Sequence, residues 1–112
     1  MEINKLSDRF AVCGQISSND MQDIKSRGFH ALICARPDGE ADDQPSYAEI
    51  EQAAQAQGLQ TVYIPVLPSG ATPENHAAFT TALATLHGSI LGYCRSGQRA
   101  AMLWQAQHVP AT

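Results

Sequence analysis

Two short runs, Ala31-Leu32-Ile33-Cys34-Ala35 and Ile90-Leu91-Gly92-Tyr93, constrain this chain more than any other feature. Neither alternates apolar with polar residues. Both are too short for a buried helix, and polar or glycine-containing stretches bound them. A strand that is apolar at successive positions is covered on both faces, which happens in parallel sheets sandwiched between helices. Parallel neighbours need long crossovers, and the segments between these runs are long enough to supply them.

Those segments carry helix signals. Residues 17–28 read as a helix with Ser18 or Asn19 as its cap and Gly28 as its end. A second helix is predicted over Tyr47–Gln57, closed by Gly58. A third starts with Thr72 as N-cap, Pro73 at the first helical position and Glu74 in the first turn. The last carries Met102, Leu103 and Trp104, with Trp104 expected to pack it onto the sheet. Phe79, Leu83 and Leu86 have the spacing of a core stripe. "INKLSDRFAVCGQ" reads as two short strands about a Ser7-Asp8 turn, and "QTVYIPV" as another strand. The expectation is one α/β domain spanning 1–112, with a central, mostly parallel sheet of four to five strands flanked by helices. Ligands of such sheets bind at the carboxyl ends of the strands, where two loops begin, at Arg36 and at Cys94.

Composition narrows the function. The net charge of −4 argues against a nucleic-acid partner. No apolar run is long enough for a membrane span, and "MEINKLSDRF" lacks the form of a signal peptide, so a cytoplasmic setting is expected. The three cysteines, Cys13, Cys34 and Cys94, have neither the spacing of a zinc site nor the even number of a disulfide framework. His30, His76, His87 and His108 lack metal-ligand spacing and read as surface or cap residues, and "ADDQ" reads as a solvated loop. No cofactor and no metal are expected.

Cys13 and Cys34 read as core residues. Cys94 does not, because "YCRSGQRA" places it where a strand ends and a helix begins. Backbone N–H groups of Arg95, Ser96, Gly97 and Gln98 would curl around one point, joined by the positive end of the helix. Gly97 allows the tight turn. That cradle binds an anion and favours a thiolate, and Arg99 would clamp a tetrahedral oxyanion through its planar fork.

"YCRSGQRA" resembles the active-site loop of cysteine-dependent phosphatases and rhodanese sulfurtransferases. Taken with "GQIS", "ARPDGE" and "YIPV", it resembles the phosphatase-like domain of the beta-lactamase-hydrolase-like proteins over nearly the whole chain. The resemblance implies a dual-specificity-phosphatase-like fold with four central parallel strands, Cys94 as nucleophile and Arg99 as anion ligand. It also implies a role in sulfur metabolism, with a persulfide dioxygenase or another sulfide-oxidising enzyme as partner. Three positions depart from the phosphatase pattern. Four residues instead of five separate Cys94 from Arg99, Ala100 replaces a serine or threonine, and Tyr93 replaces a histidine.

The general acid is missing as well. In the resembling phosphatases an aspartate follows the "IPV"-like run, whereas here the run is followed by Leu67-Pro68-Ser69. Asp38, in a "RPDG" stretch that also reads as a turn, is the alternative acid, with Arg36 beside it as a second candidate for a supporting role. Sulfane-sulfur transfer needs no such acid, since sulfite or a thiolate leaves readily. Sequence alone therefore favours a rhodanese-type sulfurtransferase that takes sulfur from thiosulfate or a small persulfide to a thiol acceptor through a Cys94 persulfide. The alternatives are a phosphatase working through a Cys94 phosphocysteine, and a non-catalytic anion- or persulfide-binding module.

Overall fold

The computed structural model describes residues 1–107. Its elements run β1 (Ile3–Lys5), β2 (Phe10–Cys13), a 3-10 turn (Ser18–Asp20), α1 (Met21–Ser26), β3 (Phe29–Cys34), α2 (Tyr47–Ala56), β4 (Gln60–Tyr63), α3 (Pro73–Thr85), β5 (Ser89–Tyr93) and α4 (Gln98–Gln107). They form one sheet in the order β1-β2-β5-β3-β4. Strands β2, β5, β3 and β4 are mutually parallel, and β1 adds an antiparallel edge.

The period-two alternation of the strands sorts the core into two layers. Ile90 and Cys94 of the β5 segment face Phe10, Val12, Phe79 and Leu103 on the α3/α4 side. Leu91 and Tyr93 face Cys13, Met21, Ile24 and Ile50 on the α1/α2 side. Parity therefore puts Cys94 on the opposite face from Cys13 and Cys34. Gly92 lies over Phe10, where a Cβ would stand 2.8 Å from the ring and 3.2 Å from the Ala100 methyl. Its bare backbone lets α4 sit close to the sheet. Trp104 stacks on Phe10 at 5.0 Å and Phe79 meets the same ring edge-on at 5.5 Å, so one aromatic trio joins β2, α3 and α4.

Local details differ from the sequence expectations where partners are distant. Ser17 is the N-cap of the 3-10 turn and Asp20 stands at the N-cap position of α1, so neither Ser18 nor Asn19 caps the helix. The Asp20 carboxylate accepts from the Ser17 N–H at 2.8 Å, which tightens the entry into a 3-10 turn. Thr72 caps α3 as expected, with Thr72 and Asn75 exchanging hydrogen bonds of 2.9 and 3.1 Å. His76, read as a surface or cap residue, is half-buried within α3 with its Nδ1 covered. His108 lies outside the described residues.

Arg9 holds the far end of α3. Its guanidinium donates to the Leu83 carbonyl at 2.8 Å, to the Gly88 carbonyl at 3.1 Å and to the Leu86 carbonyl. A cation on the last carbonyls satisfies orphan acceptors and complements the helix dipole. Arg9→Ala is expected to cost roughly 1.5–3 kcal/mol, the usual range for losing hydrogen bonds from a charged group. A urea midpoint within error of the wild-type value would contradict this.

Candidate active site

Cys94 follows the last residue of β5, and α4 begins four residues later at Gln98. Between them Gly97 adopts φ +95°, a left-handed conformation that favours glycine. A Cβ there would also stand 3.1 Å from the Cys13 carbonyl oxygen, so the loop rests directly on the end of β2. The Gly97 N–H consequently donates to the Cys94 sulfur at 3.1 Å. Gln98 and Arg99 lie in the first turn of α4, whose amides have no intrahelical acceptors and whose dipole is positive. The sulfur thus sits on an N–H donor at the electropositive end of a ten-residue helix.

The three cysteines have different surroundings. Burial pushes the Cys13 thiol up to about 12, with the neighbouring Cys94 adding to the rise. Burial also raises Cys34, whose sulfur donates to the Arg36 carbonyl at 3.3 Å. Both remain inert thiols at neutral pH, in keeping with their core role.

Arg99 reaches back across the carboxyl ends of the strands. Its Nη1 and Nη2 donate to the two Glu40 oxygens at 2.8 and 2.9 Å, and Nη1 also donates to the Val66 carbonyl at 2.7 Å. A guanidinium has five N–H donors in a fixed plane. These bonds use three of them and leave the Nε–H and one Nη2–H, which share an edge. Arg99 is therefore fixed in orientation while one bidentate edge stays available for two oxygens of a tetrahedral anion. Glu40 raises the Arg99 guanidinium further above its ordinary value, and the Cys94 sulfur contributes in the same direction.

Glu40 is the residue that sequence reasoning missed. It stands in the quoted "ARPDGE", but its main partner is 59 positions away. Arg36 pairs with it too, Nε to Oε1 at 3.0 Å, and Arg36 Nη1 donates to Gln15 Oε1 at 3.0 Å. Side-chain exposures of 7%, 18% and 13% for Arg36, Glu40 and Arg99 show side chains largely covered at the edge of the cavity, where an ion pair holds geometry better than at a free surface. The Arg99 fork, seconded by Arg36, holds the Glu40 carboxyl down at about 2. Its folded value lies below the ordinary 4.5, so this contribution to stability is fully present above pH 4.5 and is lost as pH falls toward 2. Glu40→Gln is expected to flatten the acid limb of stability in that window, as read from urea midpoints. An unchanged acid limb would mean that the pair contributes nothing to folding.

Of the expected site residues, Arg36, Arg95 and Arg99 line a cavity of about 520 Å³, while Cys94, held by the Gly97 N–H, is buried and does not itself line it. Ser96 lies on the other side of the loop, where it lines a separate hollow with Gly14 and Gln15, and its hydroxyl accepts from the Gln98 N–H at 3.4 Å. Asp38 is not brought to the cavity. Its carboxylate accepts from the Tyr47 N–H at 2.8 Å at the start of α2, and its own N–H donates to the Tyr63 hydroxyl at 2.9 Å. "RPDG" is thus a structural turn that also caps a helix. Pro68 does line the cavity, at the place expected for an acid, and no carboxylate comes with it from Leu67–Ser69. Asp43, from the stretch read as a solvated loop, lines the same cavity.

A parallel sheet between two helix layers, with a cysteine in an N–H-lined loop and an arginine fixed beside it, defines a phosphatase-like α/β domain. Residues 2–110 match the family described as beta-lactamase hydrolase-like protein, phosphatase-like domain, and the chain belongs to that family. It is 36% identical over 109 residues to a beta-lactamase hydrolase-like protein of Xylella fastidiosa and 32% identical over 104 residues to one of Agrobacterium fabrum. These matches cover 97% and 93% of the chain but only 25% and 24% of the relatives, so the chain spans about a quarter of their length. Among solved structures, a phosphatase candidate from Neisseria meningitidis superposes with a TM-score of 0.86 at 29% identity, covering 98% of this chain and 81% of that one. A phosphatase candidate from Shewanella putrefaciens shares the fold, with a TM-score of 0.80 at 18% identity over 97% of this chain and 71% of that one. No helix among the described residues is long and apolar enough to cross a membrane.

Proposed function

We propose that the protein hydrolyses phosphate monoesters through a phosphocysteine on Cys94. The observation that carries this is the preset Arg99 fork. Glu40 and Val66 fix the guanidinium, and its remaining edge stands ready beside a sulfur that accepts an N–H. Two phosphoryl oxygens would take that edge, and the amides of the 95–98 loop would take the developing negative charge. Such groups are oriented before the reaction, so they stabilise the transition state without reorganising. Cys94 Sγ attacks phosphorus, the ester oxygen leaves, and water then cleaves the P–S bond to release phosphate and regenerate the thiolate. The family's phosphatase-like character and the phosphatase candidates among the structural neighbours support the same direction.

Sulfane-sulfur transfer is the second reading, and two specific features favour it. The loop is one residue shorter than the phosphatase pattern, and the Leu67-Pro68-Ser69 stretch supplies no acid. A small persulfide or thiosulfate would then be the donor and a thiol the acceptor, with a sulfide-oxidising enzyme as partner in the cell. Release of inorganic phosphate from aryl phosphates of acidic phenols separates the two readings. The phosphatase reading predicts turnover that depends on Cys94. Persulfide-to-thiol transfer with no phosphate release would replace it by the second reading.

A further inference from the structure

Ester hydrolysis leaves one role unfilled, the proton donor to the leaving oxygen. Two carboxylates line the 520 Å³ cavity beside Arg95 and Arg99, those of Glu40 and Asp43. Glu40 is committed: both oxygens are held by Arg99 and one of them also by Arg36. Those bonds occupy both of its oxygens, so Glu40 serves to aim Arg99. Asp38 is spent on the Tyr47 N–H and does not line the cavity. Asp43 differs from both. Among the described residues its side chain makes no hydrogen bond and no ion pair.

The backbone around Asp43 is nevertheless braced. The neighbouring Gln44 accepts from the Glu40 N–H at 3.1 Å, donates to the Pro37 carbonyl at 2.9 Å, and closes a turn through its own N–H to the Ala41 carbonyl at 3.3 Å. Those contacts tie the segment that carries Asp43 to the residue that fixes Arg99.

We propose that Asp43 is the general acid of this site, supplied by the loop after β3 in place of the loop after β4. The inference rests on the phosphatase reading and deepens it. In the first step, protonated Asp43 gives its proton to the ester oxygen as the P–O bond breaks and the S–P bond forms. In the second, the Asp43 carboxylate takes a proton from the attacking water as the P–S bond breaks, which leaves phosphate, the Cys94 thiolate and protonated Asp43. No further reactant is needed. Such a donor would let the site cleave esters of weakly acidic alcohols and phenols that could not leave unaided.

A leaving-group series decides it. Phosphate release is measured for dinitrophenyl, nitrophenyl, phenyl and simple alkyl phosphates with the wild-type chain and with Asp43→Asn, Asp43→Glu and Asp42→Asn. The wild type is expected to show a shallow dependence on leaving-group basicity. Asp43→Asn should lose ~10²-fold or more on the phenyl and alkyl esters, the usual size of general acid catalysis. The same variant should lose little on the dinitrophenyl ester, whose phenolate leaves without help. Asp43→Glu should restore part of the loss, and Asp42→Asn should match the wild type. An equal effect of Asp43→Asn on every ester, or none, would overturn the assignment while leaving the phosphatase reading in place. A wild type that turns over dinitrophenyl phosphate but already depends steeply on leaving-group basicity would do the same. No hydrolysis of any ester would overturn the reading and the assignment together.

Discussion

Cys94→Ser is expected to lower kcat/KM for an aryl phosphate by at least ~10³-fold, about 4 kcal/mol of transition-state stabilisation. The change removes the sulfur and little else. Serine is nearly isosteric, and its oxygen can still accept the Gly97 N–H that now meets the sulfur at 3.1 Å. The residue is 1% exposed at the junction of β5 and the α3/α4 layer, so a small change in size is felt there, but no large cavity opens. The variant should therefore fold, bind anions and fail to turn over. Activity loss without loss of the folded baseline is the expected outcome, followed by phosphate release and by thermal unfolding of the same sample. Retained turnover would place the nucleophile elsewhere, and neither Cys13 nor Cys34 is suited to it, since burial keeps both protonated.

The second large effect belongs to Arg99. Arg99→Lys keeps the positive charge but loses the planar fork. An ammonium can meet Glu40 or the Val66 carbonyl, but it cannot hold both and still offer two parallel donors to an anion. The loss in kcat/KM should be at least tenfold, about 1.4 kcal/mol. It should fall on kcat as well as KM, because the donors tighten on charge that develops in the transition state. Glu40→Gln should show a milder version, since the fork then keeps its shape but loses the carboxylate that aims it. A wild-type kcat for Arg99→Lys would mean that this residue braces the loop and does not touch the reacting group.

The sheet was legible in the sequence because its strands are buried on both faces. In the all-apolar run Ala31–Ala35, the first four residues form the buried C-terminal part of β3 and Ala35 follows its end. Thr72-Pro73 marked the start of α3 for an equally local reason: capping chemistry is settled within four residues. The cysteine loop was legible because nucleophile, glycine and arginine are consecutive. What stayed hidden depends on partners far apart in sequence. Arg9 meets carbonyls 74 to 79 residues away, and nothing in "SDRF" announces that. Glu40 meets Arg99 across 59 residues, and only the strand order β5-β3 brings their two loops side by side. Asp38 drew attention as the nearer acid, yet its neighbour Tyr47, nine residues on, had already claimed it. Parity along β5 is a local signal of the same kind. Tyr93 belongs to one face, so Cys94 must belong to the other, away from Cys13 and Cys34. The preference for sulfur over phosphorus rested on the loop being one residue short and on the Leu67–Ser69 stretch having no acid; Asp43 lines the cavity from a different loop, and the loop length is unchanged.

Protein quenched in acid during turnover of dinitrophenyl phosphate and weighed by mass spectrometry should carry a phosphoryl group on Cys94 that decays as phosphate is released, and Cys94→Ser should carry none. A bare Cys94 throughout turnover would contradict the phosphocysteine route, as would a Cys94 that accepts sulfur from a persulfide donor but never phosphorus from any ester.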